Sequence, residues 1–283
     1  MNPLWIPQIR AIVQLELKKT FFARRGLWIY FLALAPVALF SVHTLVELRL
    51  QGPGHNVSGI GQDTLVFAGV FQFFFVRLAI FFGCLGIFMN LIRGEMLDKS
   101  LHFYLLAPVR REVMLAGKFL AGLLASVVIF TMSTALQLLA VLWKFDSTTV
   151  SHFLYQGNGV SQIGSYLLVT VLACMGYGSI FLAAGLLFRN PIVPAAAILI
   201  WEAVNPVLPS VLKKISVIYY LKSLCPVSIP IEPGMAPLLA LLVSNAEPIS
   251  GYLAICGLLL LLLALMAVSM RSVRRLEINY TTE

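Results

Sequence analysis

Two ionisable side chains, Arg77 and Glu202, stand inside long apolar runs of the sequence. They are the first candidates for chemistry. A charged group in the hydrocarbon of a bilayer costs a few kcal/mol or more, so one that is kept there has a partner or a task. Arg77 falls about twelve residues into one run and Glu202 about eleven into another, which at ~1.5 Å per residue puts both near its middle. Three readings are open: an ion pair or hydrogen-bonded anchor between helices, two groups lining a pathway, or side chains that snorkel to an interface.

Familiar catalytic constellations are absent from the chain. There is no HExxH, no GxSxG, no GxxxxGK[ST] and no GxGxxG after a strand. His43, His55, His102 and His152 lie on different segments and read as interfacial or loop residues, so no metal set is expected. Cys84, Cys174, Cys225 and Cys256 are far apart, with no CxxC, and those inside apolar runs read as small hydrophobes. No catalytic residue and no cofactor is expected in this chain.

The elements that must position Arg77 and Glu202 follow from composition. Of 283 residues, 60% are hydrophobic and 11% charged, where a soluble domain carries about 25% charged residues. Six stretches approach the ~20 apolar residues that cross a ~30 Å core: approximately 27–46, 65–92, 119–143, 162–188, 191–209 and 249–270. The expected fold class is all-α, a polytopic integral membrane protein with six transmembrane helices in one domain. In the fifth stretch Pro191, Pro194, Asn205, Pro206 and Pro209 predict a short or broken crossing. No small-residue cleavage site follows the basic N-terminal stretch, so the first span is expected to be retained.

Orientation comes from Lys and Arg, which are enriched in cytoplasmic loops. With both termini inside, fourteen of the 20 basic residues lie inside and five outside. The expectation is a multi-pass protein of a cell inner or plasma membrane with both ends cytoplasmic. The net charge of +8 sits beside apolar spans, which points to orientation rather than to nucleic acid.

Outside the spans, residues 4–24 place Ile9, Ile12, Val13, Leu17 and Phe21 on one helical face and Arg10, Lys18 and Arg24 elsewhere. That pattern predicts a basic amphipathic helix along the inner leaflet, with membrane lipids as neighbours. Residues 94–107 form a second amphipathic stretch, with Leu97, Leu101, Tyr104 and Leu105 at helical spacing and Glu95, Asp98 and Lys99 expected to face water. The segment from about 210 to 248 reads as a re-entrant hairpin on the outer side. Gly117, Ala121 and Ala125 make a small-residue stripe that suits close helix packing, within the chain or across a dimer.

The loop GEMLDKSLHFYLLAPVRREVMLAGK resembles the permease subunits of type-2 ABC exporters. Glu95, Ser100, Leu101, Leu105, Leu106, Pro108, Val109, Arg111, Gly117 and Lys118 fill that family's pattern. Lys99 stands where the family often has Gly, and Ser100 where it often has Thr. The resemblance implies that residues 94–107 are a coupling helix docking on a nucleotide-binding subunit, with Glu95, Leu101, Tyr104, Leu105 and Arg111 carrying the contact. It further implies a second copy of this permease or a relative, and two copies of a soluble ABC ATPase subunit that hold the ATP and Mg. Export is the expected direction. Two rivals are a membrane-embedded lipid-modifying enzyme, which would need a polar cluster at the interface, and an ATP-independent channel or carrier, which usually shows internal repeats.

Overall fold

In the computed structural model, residues 5–22, 26–50, 59–95, 109–188, 190, 192–229 and 249–275 are described. Every regular element among them is a helix. Five helices are long and apolar enough to cross a membrane: α2 (Leu27–Leu50), α3 (Ile60–Gly94), α4 (Arg111–Leu142), α6 (Gly159–Leu187) and α9 (Gly251–Arg274). Shorter ones are α1 (Trp5–Phe22), α5 (Ser147–Tyr155), α7 (Ile192–Val204) and α8 (Val217–Leu224), with a single helical turn at Ser210–Lys213 between the last two. The chain is all-α, with the helices of a multi-pass membrane protein.

Five of the expected spans coincide with the five long helices. The fifth expected stretch, 191–209, yields only the 13-residue α7 and the 3-10 turn Asn205–Val207. Pro206 brings no N–H to continue the ladder, and Pro209 pushes the residue before it into extended backbone; Leu208 is extended, at ψ 154°.

An aromatic column down α3 organises the core. Phe67, Phe71 and Phe75 recur every four residues, and all are buried. Phe67 and Phe71 each meet Tyr166 of α6 at 4.9 Å, Phe75 meets Phe130 of α4 at 5.9 Å, and Phe81 meets Phe181 of α6 at 4.9 Å. Such edge contacts add ~0.5–1.5 kcal/mol each beyond area burial. Residues Phe71–Ile80, with Arg77 among them, wind in the wider π form, which is frequent at functional sites. Outward, α2 and α9 turn large apolar side chains such as Phe31 and Leu260 to the exterior, 73% and 71% exposed. Lipid, not water, suits that surface.

Lower in the bundle, Phe88 is wedged between α4 and α6, and glycine makes the room. A Cβ on Gly122 would lie 2.8 Å from the Phe88 ring, and one on Gly178 would lie 2.5 Å from it. Gly178→Ala is therefore expected to destabilise by about 1–3 kcal/mol through overpacking. Gly164→Ala, on the same helix with open space around it, is expected to leave stability unchanged or slightly raised. Thermal unfolding in detergent, run side by side, checks the contrast.

Several polar side chains inside the bundle bond to one another or to backbone carbonyls, as an apolar solvent favours. Thr134 and Thr170 share a hydrogen bond of 3.0 Å between α4 and α6, and Thr44 donates to the Ala140 carbonyl at 2.9 Å. Ser133 donates to the Ala33 carbonyl at 2.5 Å, close to where Pro36 interrupts the α2 ladder.

Candidate functional site

The predicted apolar face of α1 is the one that packs. Ile12 is buried and Ile9, Val13 and Leu17 are half-buried, while Arg10 and Lys18 stay exposed. The face is laid not on lipid but on the first turns of α4. Glu16 lies on this stripe, one turn after Ile12, and is only 2% exposed. Opposite, Gly117 lets the helices approach, since a Cβ there would sit 3.0 Å from Ile12. The small-residue stripe thus serves an intrachain contact at Gly117.

The next residue, Lys118, is completely buried. Its ammonium donates to Glu16 Oε1 at 2.6 Å, Glu95 Oε2 at 2.6 Å and the Leu91 carbonyl at 2.9 Å. Three protons thus have three acceptors, which is the full capacity of the group. Lys19 of α1, half-exposed, donates to the other oxygen of Glu95 at 2.9 Å. The four side chains join α1, the C-terminal end of α3 and the start of α4 in one charge-balanced knot. A buried set of this kind is held by mutual attraction that offsets desolvation, and it does not tolerate removal of one member.

Glu95 was expected to face water, and it does not: it is 6% exposed. Burial works to raise its carboxyl pKa, but Lys118 and then Lys19 outweigh burial and hold it below its ordinary 4.5. The folded chain binds this proton less readily than the unfolded one, so the stabilisation is complete above 4.5 and fades as pH falls below it. In melting curves taken from pH 7 down to pH ~3.5, Glu95→Gln is expected to start less stable than the parent chain and to converge with it in acid. Parallel curves at all pH values would contradict this.

Arg111, expected at the coupling surface, is turned to the end of α9. It donates to the Arg274 carbonyl at 3.2 Å, where a cation meets unsatisfied C-terminal carbonyls. Arg274 returns a bond to Glu112 Oε1 at 2.6 Å, so α4 and α9 are stitched twice at one end. Beside them the Arg110 guanidinium lies 5.5 Å from the centre of the Trp5 ring of α1. Leu101, Tyr104 and Leu105 lie outside the described residues, as does most of the 94–107 segment.

Deeper in the bundle, Arg77 and Glu202 are both buried, at 8% and 4% exposure. They lie within electrostatic reach of each other and of Tyr177. The geometry adds a further role for Glu202. Its carboxylate accepts from Ser216 Oγ at 2.8 Å and from the backbone N–H groups of Val217 and Ile218 at 3.0 and 2.9 Å. It therefore caps the N-terminus of α8 from a remote position, satisfying orphan donors and the helix dipole together. Gln72 of α3 holds the far side of the same segment, donating to the Val227 carbonyl at 2.7 Å.

A third cluster ties α2, α3 and the turn after α4 at the opposite end of the bundle. Lys144 is bonded to Glu47 and to Asp63, and His43 sits 3.3 Å from Glu47. Burial disfavours the Lys144 ammonium, but Asp63 and Glu47 overcome it and hold the pKa above its ordinary value. His43, Glu47 and Asp63 bring their donor atoms within 4.8 Å of one another, but the ammonium already occupies the place between the carboxylates. The cluster reads as a lysine-bridged clamp. No protein-family model matches the chain, and no curated protein matches it in sequence.

Proposed function

We propose that the chain is the membrane-spanning permease subunit of an ATP-driven exporter of the type-2 ABC kind. The observation that carries this reading is the buried Glu16–Lys118–Glu95 knot. It lies where the second loop leaves α3 and re-enters α4, so any force on residues 96–108 reaches the bundle through charged bonds rather than through slack chain. A loop anchored in this way suits passing a rigid-body movement from a docked subunit into the membrane helices. No nucleotide-phosphate loop is present in the sequence, so ATP and Mg belong on that separate subunit, in two copies.

In this reading the chain crosses six times, with α7 as a short fifth crossing and residues 210–248, of which 230–248 lie outside the described residues, as a re-entrant segment on the outer face. Both termini are cytoplasmic, a second copy or a relative completes the pathway, and nucleic acid plays no part. Glu202 braces the break between α7 and α8, and Arg77, within electrostatic reach of it, stands beside the pathway. The test is copurification from the native membrane. A soluble ATPase bearing nucleotide-binding motifs is expected to accompany the tagged chain and to be lost with Leu101→Asp or Tyr104→Ala at unchanged chain yield. A chain that purifies without any ATPase, or whose ATPase is indifferent to these changes, would refute the proposal.

A further inference from the structure

At the α1 end of the bundle, among the described residues, Glu16 and Glu95 are buried and Glu112 is paired, while most of the bases are exposed. Glu16 and Glu95 are consumed by Lys118, and Glu112 by Arg274. Arg10, Lys18, Arg110, Arg271 and Arg275 are exposed, and the Lys19 side chain is half-exposed. Because α1 spends its apolar face on α4, the face left to the surroundings is the basic one, and it also carries Ile6 and Leu15, 67% and 45% exposed.

Bases interleaved with exposed apolar side chains, placed where the long helices end, match one partner in charge and in polarity. That partner is a bilayer surface bearing anionic phospholipid: the apolar groups enter the headgroup layer and the cations meet phosphate. Lys19 has a special position, because its partly exposed ammonium also bonds Glu95. A headgroup phosphate at Lys19 competes with that carboxylate. We propose that the outer face of α1 binds anionic inner-leaflet lipid through Arg10, Lys18 and Lys19, and that lipid charge thereby loosens the Lys19 hold on Glu95. The proposal rests on the membrane orientation given above but not on the ATPase.

Binding is read by native mass spectrometry of the purified full chain with phosphatidylglycerol or phosphatidylcholine of identical acyl chains. A preference for the anionic lipid is expected, falling about five-fold for each engaged base removed, and so falling by more than ten-fold in Arg10→Gln/Lys18→Gln. Lys213→Gln/Lys214→Gln, which removes equal charge elsewhere, is expected to keep it. No preference, or an equal loss in both double variants, would overturn the binding site. The link to Glu95 is read by hydrogen exchange in nanodiscs: anionic lipid is expected to raise exchange across residues 90–95 of the parent chain. With Lys19→Gln that exchange is expected to be high in both lipids. Exchange that ignores lipid charge in the parent chain would overturn the link. Neither readout involves ATP, so these results and the copurification test fail independently.

Discussion

Lys118→Met is expected to cost about 3–5 kcal/mol, because it leaves Glu16 and Glu95 as neighbouring buried carboxylates with no cation between them. The side chain is completely buried and its methionine replacement is of similar length, so lost volume is not the cause. The signature is in the rescue. Lys118→Met combined with Glu16→Gln and Glu95→Gln removes every buried charge of the knot, leaving only the half-exposed Lys19 to solvent, and is expected to recover more than half of the loss in thermal unfolding. A triple variant no more stable than the single one would mean that the lysine acts through packing. The same residue should matter to yield in the membrane, since an unpaired buried charge burdens insertion as well as stability.

Glu202→Ala is the second large effect. It strips three accepted hydrogen bonds from the start of α8 and leaves the N–H groups of Val217 and Ile218 and the Ser216 hydroxyl buried without an acceptor. At about 1–3 kcal/mol for each buried group left unsatisfied, the cost is on the order of 3 kcal/mol or more. Glu202→Gln keeps one acceptor oxygen and is expected to lose roughly half of that. A local readout separates this from global damage. Cys225 lies directly after α8 and is only partly exposed, so in a Cys256→Ser background its maleimide labelling should accelerate in Glu202→Ala. Unchanged labelling would show that α8 does not depend on this cap. Arg77→Ala and Glu202→Ala are expected to be non-additive by more than ~0.5 kcal/mol, the threshold for groups that interact.

The large elements were legible because they answer to a single rule. An apolar run of about 20 residues has one favourable state in lipid, and α2, α3, α4, α6 and α9 obey it. Where local chemistry competes the reading was poorer: the prolines around α7 forecast a break, but not that Glu202 would cap the helix beyond it, because the cap comes from fourteen residues upstream of Ser216. The basic face of α1 was also read correctly while its surroundings were not. Ile12 and its neighbours looked like a face for lipid, and only tertiary packing could show α4 there. Glu16 was the missed signal. An acid on an otherwise apolar stripe asks for a buried base, and the sequence holds one immediately after Gly117, in the Gly-Lys pair already singled out at the start of α4. Glu95 was given the wrong surroundings, since spacing alone does not tell a water-facing acid from one that bonds across the fold.

The length of α4 has a mechanical consequence. From Lys118 in the inner knot to Lys144, two residues beyond the end of the helix, the chain runs almost entirely as one uninterrupted helix, a distance of about 39 Å at 1.5 Å per residue. Its interior is pinned laterally where Phe88 wedges at Gly122 and where Thr134 meets Thr170. A stiff beam held at its waist is a lever. Leaning its lower end toward α1 swings its upper end away, so the two ionic clusters feel opposite strains from one displacement, with the Thr134–Thr170 contact as the fulcrum.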